Sequence, residues 1–190
     1  MDRNKLVTMI EIAVMAGLAQ ILSVFEFGAL WAYGGSISLV MVPIFLMAYR
    51  RGLKAGILTG LIVGILDLVM GATVVHPVQL VLDYPLAYAV LGLAGVMATK
   101  SEINLRRIMS GLLLGTSLRL ACHFASGVIW FGEYAPDGWP VAWYSFLYNI
   151  SYLIPEMLIT AVVLVFLHKT SPSFFKHSAS SIQGVTSVKM

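Results

Sequence analysis

Charge is scarce in this chain and cysteine nearly absent. Asp, Glu, Lys and Arg make up 11% of its 190 residues, against about 25% in an ordinary soluble domain. Hydrophobic residues make up 59%. A soluble fold of this size cannot hide that much apolar surface, and a disordered chain would not carry it. The single cysteine, Cys122, lies in an apolar run, which leaves neither a disulfide framework nor a cysteine-based metal site. The sequence has no G-x-x-x-x-G-K-[ST] phosphate loop and no H-E-x-x-H pair, so neither ATP hydrolysis by that route nor an intramembrane metalloenzyme is expected. His123 has only Cys122 and Ser126 near it as nucleophiles, and neither spacing marks a triad. No inverted repeat of the secondary-transporter kind is visible either.

What is present is a polytopic membrane protein. At about 20 residues per span, five to seven helices fit, and a separate aqueous catalytic domain does not. Six apolar segments stand out: Leu6–Phe25, Ser36–Tyr49, Leu53–Met70, Val78–Thr99, Leu105–Phe131 and Val141–His168. The second is short and interrupted by Pro43. The first follows Arg3 and Lys5 like a signal peptide, but it is long for one and lacks a clear cleavage site, so it is expected to stay as a helix. The expected fold is all-α, a bundle of six transmembrane helices over residues 1–170 with a Ser-rich polar tail over 171–190.

The net charge of +3 would suggest nucleic acid in a soluble protein, but here its placement decides, and no nucleic-acid partner is expected. Arg3 and Lys5 precede segment 1; Arg50, Arg51 and Lys54 lie between segments 2 and 3. Lys100, Arg106 and Arg107 lie between segments 4 and 5, and Lys169, Lys176 and Lys189 follow segment 6. The other three loops have no Lys or Arg, and Arg119 alone lies inside a span. The positive-inside rule makes the basic side, with both termini, cytoplasmic.

The outward loops hold Glu26, Trp31, Tyr33 and Gly34, then His76 and Pro77, then Gly132 to Trp139; some of these read equally as an interfacial aromatic belt. Ionisable groups inside spans point to function by default. At 1.5 Å per residue from the outer ends, Asp83 lies about 8 Å deep, and His123 and Asn149 about 12 Å. Three helices thus carry polar groups to one layer. With Tyr84, Tyr144, Tyr148, Trp130 and Phe131 nearby, the layer suits a flat, cationic heteroaromatic ligand; interhelical glue is the competing reading. Arg119 and Glu156, at about 18 and 22 Å, could form a buried ion pair. Asp67 and Glu11 read as mainly structural. On segment 1, Ala13 and Gly17 share a face that another helix could approach, inside the bundle or outside it.

These residues resemble the substrate-binding (S) components of energy-coupling factor (ECF) vitamin transporters, in their thiamine-specific branch. The likeness runs from Glu11 to Lys169 through E-I-A-V-M-A-G, G-G-S-I-S-L-V-M-V-P-I-F-L, A-Y-R-R-G-L-K-A-G, H-P-V-Q-L-V-L-D-Y, C-H-F-A-S-G-V-I-W-F-G-E-Y-A-P and W-Y-S-F-L-Y-N. It implies thiamine as ligand, taken from outside. It assigns substrate contacts to Asp83, Tyr84, His123, Trp130, Phe131, Tyr144 and Asn149. Some relatives have Glu where this chain has Asp83, and Trp where it has Phe131. Some also contribute a Trp from the first loop; Gly34 stands there, with Trp31 and Tyr33 close by. The likeness implies docking through Ala13 and Gly17 onto a transmembrane T component carrying two ATPases. No metal and no cofactor of its own is implied, ATP being used by the partner subunits, and no enzyme activity is expected. The alternatives are a stand-alone ion-coupled secondary transporter, with Asp83, His123, Arg119 and Glu156 as a relay, and an S component for another vitamin.

Overall fold

In lipid, backbone groups must pair within their own segment, so apolar runs fold as helices, and glycine and alanine mark where two helices touch. The computed structural model describes residues 3–28, 30–31, 34–98 and 103–176. Tyr33, Lys100, Lys189 and most of the expected tail lie outside the described residues. Six helices follow in order: α1 (Arg3–Val24), α2 (Met41–Arg51), α3 (Leu53–Val69), α4 (Pro77–Met97), α5 (Leu105–Trp130) and α6 (Val141–Thr170). Among the described residues there is no strand, only one antiparallel bridge between Phe27 and Ile37. The fold is the expected all-α membrane bundle.

Its apolar side chains are distributed as lipid requires. Met9, Ile10, Val14 and Ile21 of α1 and Leu158, Val162 and Phe166 of α6 are each more than half exposed. Such faces would aggregate in water and are stable against acyl chains. The small residues of α1 divide between two faces: Ala16 and Ala19 are buried against the bundle, while Ala13 is exposed.

Four helices, α1, α4, α5 and α6, are long and apolar enough to cross a bilayer. The second segment departs from a simple span. Its helix begins at Met41, not near Ser36, and its 11 residues reach only about 16 Å of a core about 30 Å thick. Pro43 does not interrupt it. That residue sits in the first turn, where backbone N–H groups have no helical partner and proline costs nothing. Residues 34–40 enter the protein without helical structure, and Ser38 and Val40 on them are buried. Non-helical backbone at this depth is tolerated where it lines a cavity or is covered by protein. From Met41 to Tyr49 every residue of α2 is buried, so α2 forms the central post. Tyr49 Oη donates to the Ile108 carbonyl at 2.7 Å and ties α2 to α5.

Gly52, with φ +83°, lets α2 turn straight into α3, a conformation an L side chain resists. Helix α3 then lies against α4 along Gly56, Gly60 and Gly64. A Cβ at Gly60 would collide with the Tyr88 carbonyl, and one at Gly64 would lie 2.5 Å from the Tyr84 carbonyl. This seam holds α4, which carries much of the site described below. Gly60→Val should therefore lower stability by about 1–3 kcal/mol through overpacking, read as a lower melting temperature of the purified protein. An unchanged melting temperature would show that the seam can part at no cost.

At the opposite end from the 24–41, 70–77 and 131–141 connections, Glu11 of α1 receives Arg51 Nε at 2.6 Å and Nη2 at 2.7 Å. Arg50 also donates to Glu11, at 3.2 Å, and to the Ser173 carbonyl, at 3.2 Å. The first half of α1 and the chain beyond α6 are thus tied together through Arg50. Glu11 is structural, as its place in the sequence suggests.

Candidate functional site

Helix α4 begins with Pro77 at its first turn, and His76 Nδ1 accepts from the Val78 N–H at 3.1 Å. Four residues on, Gln79 and Asp83 share a face. The backbone then widens into a π-type turn over Leu82–Leu86. Pro85, inside that turn, has no N–H to give, and the wider turn absorbs the missing bond. Asp83 and Tyr84 sit in the widened turn. Across from it, α5 contributes Arg119, His123 and Ser126, spaced at i, i+4 and i+7 on one stripe. Helix α6 contributes Tyr144, Tyr148, Asn149 and Tyr152 along its first half.

Together with the 24–41 and 70–77 connections, these helices enclose a cavity of about 430 Å³. It lies at the end of the bundle remote from the Glu11–Arg51 pair and reaches the surface near exposed Glu26 and Met70. Asp83, Tyr84, His123, Phe131, Tyr144 and Asn149 all line it. Trp130 does not. Helix α5 ends at Trp130 and the chain swings out at Phe131 (φ −118°), so the two adjacent rings diverge. Trp130 stacks instead on His76, ring centroids 5.1 Å apart. From the first loop, Trp31 and Gly34 line the cavity. Trp31 Nε1 donates to Ser151 Oγ at 2.8 Å, and its ring meets Tyr152 edge-on at 5.9 Å. Gly34 contributes its carbonyl, which accepts from Tyr148 Oη at 2.7 Å.

The polar groups form one connected network. Asp83 Oδ1 lies 3.0 Å from His123 Nδ1, while Oδ2 accepts from Ser126 Oγ at 2.6 Å and Gln79 Nε2 at 2.7 Å. Arg119 Nε donates to His123 Nε2 at 3.3 Å. An imidazole that accepts at Nε2 carries its proton on Nδ1, so His123 donates to Asp83. Arg119 Nη1 pairs with Glu156 Oε2 at 3.2 Å, and Ser38 Oγ donates to the other oxygen, Oε1, at 3.3 Å. Glu156 is 1% exposed and Arg119 6%: the buried ion pair expected as one possibility is present. The Arg119 guanidinium also lies over the Tyr88 ring, 4.5 Å from its centroid, and Tyr88 Oη donates to Asp67 Oδ2 at 3.1 Å. Asp67 also lines the cavity.

Asn149 is bonded inside the protein at both ends. Its Nδ2 donates to the Ser145 carbonyl at 2.8 Å, and its Oδ1 accepts from Tyr152 Oη at 2.7 Å. Glue and pocket, posed as competing readings, describe the same residues: the network that braces α4, α5 and α6 is also the cavity wall. Among the described residues, Glu26, Asp67 and Asp83 line the chamber against one cation, Arg119, which Glu156 already balances. That acidic excess and the ring faces of Trp31, Phe131, Tyr84, Tyr144 and Tyr148 favour a flat cation. Among the described residues no cluster of His, Cys, Asp and Glu could hold a metal.

Fold and site define a class: a small polytopic membrane protein built around a polar, aromatic-walled chamber that opens at one end of its bundle. Sequence comparison refines the class. The thiamine transporter protein family matches residues 9–176. The chain is 40% identical to the thiamine transporter ThiT of Bacillus subtilis, over 93% of this chain and 98% of that one. It is 29% identical to ThiT of Lacticaseibacillus paracasei, over 92% of each. A solved structure of ThiT from Listeria monocytogenes superposes with a TM-score of 0.81 at 29% identity, covering 91% of this chain and 99% of that one. The chain belongs to the thiamine transporter family, and the resemblance to thiamine-specific S components holds.

Proposed function

We propose that the protein captures thiamine from outside the cell and serves as the membrane substrate-binding subunit of an ATP-driven ECF transporter. The observation that carries this reading is the Asp83–His123–Arg119 network at the wall of a chamber with an acidic, aromatic lining. Thiamine is a thiazolium cation joined to an aminopyrimidine. The aminopyrimidine side meets Asp83, Tyr84 and His123, with Asn149 bracing His123 and Tyr152. Phe131, Tyr144 and Trp31 offer ring faces to the thiazolium. Trp130 stands behind this set, and its contact with His76 supports a role in shaping the loop, not in touching ligand.

No bond of the vitamin is made or broken, so the protein is no enzyme and needs no cofactor. Energy comes from partners: a T component and two ATPases. The exposed Ala13 and the open space at Gly17, where a Cβ meets nothing within 4 Å, support docking through α1. The basic end, with both termini, faces the cytoplasm by the positive-inside rule, which turns the chamber outward.

Titrating the purified protein with thiamine should quench its tryptophan fluorescence with submicromolar affinity, Trp31 lying in the cavity wall. No quenching up to millimolar thiamine, with riboflavin or biotin quenching instead, would overturn the specificity. A second reading, ion-coupled transport by the chain alone, draws on the buried Arg119–Glu156 and Asp83–His123 pairs. Gradient-driven uptake by the protein alone in liposomes would favour it. Gly17→Leu should leave thiamine binding intact and abolish uptake that requires the ATPase partners; loss of binding, or unaltered uptake, would remove α1 as the docking face.

A further inference from the structure

Gln79 is 1% exposed, a depth at which an amide must have every polar atom paired. Its Oε1 accepts from the Val75 N–H at 3.0 Å. Its Nε2 donates to the Thr73 carbonyl at 3.1 Å and to Asp83 Oδ2 at 2.7 Å. These partners fix which way the amide faces. Turned over, it would set oxygen against the Thr73 carbonyl and the Asp83 carboxylate, and N–H against the Val75 N–H, three repulsions in place of three bonds. The backbone of the 70–77 loop therefore dictates that Asp83 meets a donor at Oδ2.

A carboxylate has about four acceptor positions, two on each oxygen. Among the described residues, Gln79 and Ser126 fill both on Oδ2, and His123 fills one on Oδ1. One acceptor position is left, on Oδ1. Building on the thiamine reading, we infer that Gln79 is a positioning residue that sets substrate specificity: with Ser126 and His123 it holds Asp83 so that the carboxylate offers one acceptor, suited to a single ring-amine N–H. A ligand presenting a carbonyl there meets a lone pair. A ligand presenting a two-pronged donor, such as a guanidinium, finds only half of its partner.

The experiment compares thiamine with oxythiamine, whose pyrimidine carries an oxo group where thiamine carries the amine. Binding of each is measured by titration calorimetry to the full-length purified protein, its Gln79→Glu and Gln79→Met variants, and Ser126→Ala. Gln79→Glu keeps the shape but faces Asp83 with a second carboxyl group; Gln79→Met keeps the volume and removes the donor. In the Gln79 variants the preference for thiamine over oxythiamine should fall by at least about tenfold, the worth of one hydrogen bond to a charged group. Thiamine should lose affinity, and oxythiamine should hold or gain it. A pocket that had merely loosened would weaken both ligands equally, and an unchanged preference in either folded variant overturns the inference. If neither Gln79 variant folds, Ser126→Ala decides, because it removes the other Oδ2 donor and should lower the preference in the same direction. A wild-type protein that binds no thiamine overturns the parent reading; a wild-type protein that binds thiamine, with variants of unaltered preference, overturns this inference alone.

Discussion

Replacing Asp83 with alanine should weaken thiamine binding by roughly tenfold to a hundredfold, the range for losing a hydrogen bond to a charged group. The effect should be large because Asp83 is where the network converges. His123 Nδ1, Gln79 Nε2 and Ser126 Oγ all give their protons to its two oxygens. Without the carboxylate, three donors turn toward the cavity, where water satisfies them in the empty protein and must be stripped away when ligand enters. The cost therefore falls on binding more than on folding. Asp83→Asn keeps the shape but loses the charge and sets its own N–H group among donors, so it should bind little better than the alanine variant. Asn149→Ala should also weaken binding by about tenfold or more, by releasing Tyr152 and the α5–α6 brace. Asp137→Ala, on the exposed 131–141 connection, should change nothing. Calorimetric titration with thiamine checks the series, and an Asp83→Ala affinity within about threefold of wild type would remove Asp83 from the site.

Much of this site was legible because helical rise is constant. Counting residues from the outer ends put Asp83, His123 and Asn149 in one layer, and they do meet there through the Asp83–His123 contact and the Asn149 Nδ2 approach to the His123 carbonyl at 3.4 Å. The same count brought Arg119 near Glu156. The basic residues between segments marked one end of the bundle, and the apolar runs between them gave its helices. What failed was whatever depends on direction and not on depth. Trp130 and Phe131 have nearly equal depth, and only the end of α5 decides which faces inward. Hydropathy averages cannot separate a buried helix from buried extended chain, which is why residues 36–40 read as part of a span. Uncharged polar residues left little trace: Gln79, Ser126, Tyr88 and Ser38 carry no charge to flag them. Spacing could have found two of them, since Gln79 stands four residues before Asp83 and Ser126 three after His123. Pro85, two residues after Asp83, was a further sign of a distorted turn.

Arg119→Met should be the most destabilising single change at the site, and it tests how far the buried network serves folding as opposed to binding. It leaves Glu156, 1% exposed, as a charge with no counterion, a loss of about 3–5 kcal/mol when one partner of a buried pair is removed. Ser38 Oγ, the remaining donor at 3.3 Å, cannot offset it. The double variant Arg119→Met, Glu156→Met should recover most of the lost stability, because a buried pair replaced by apolar groups of similar size is often neutral. Binding should not recover with it. Arg119 Nε is the donor that holds His123 Nε2 as an acceptor and so directs Nδ1 toward Asp83; neither methionine restores that bond. The expected pattern is a melting temperature that falls in the single variant and returns in the double, with thiamine affinity reduced in both. If the double variant melts as low as the single, the ion pair is not what Arg119 contributes to the fold. If it binds thiamine as tightly as wild type, the orientation of His123 does not depend on Arg119, and the network ends at Asp83 and its three donors.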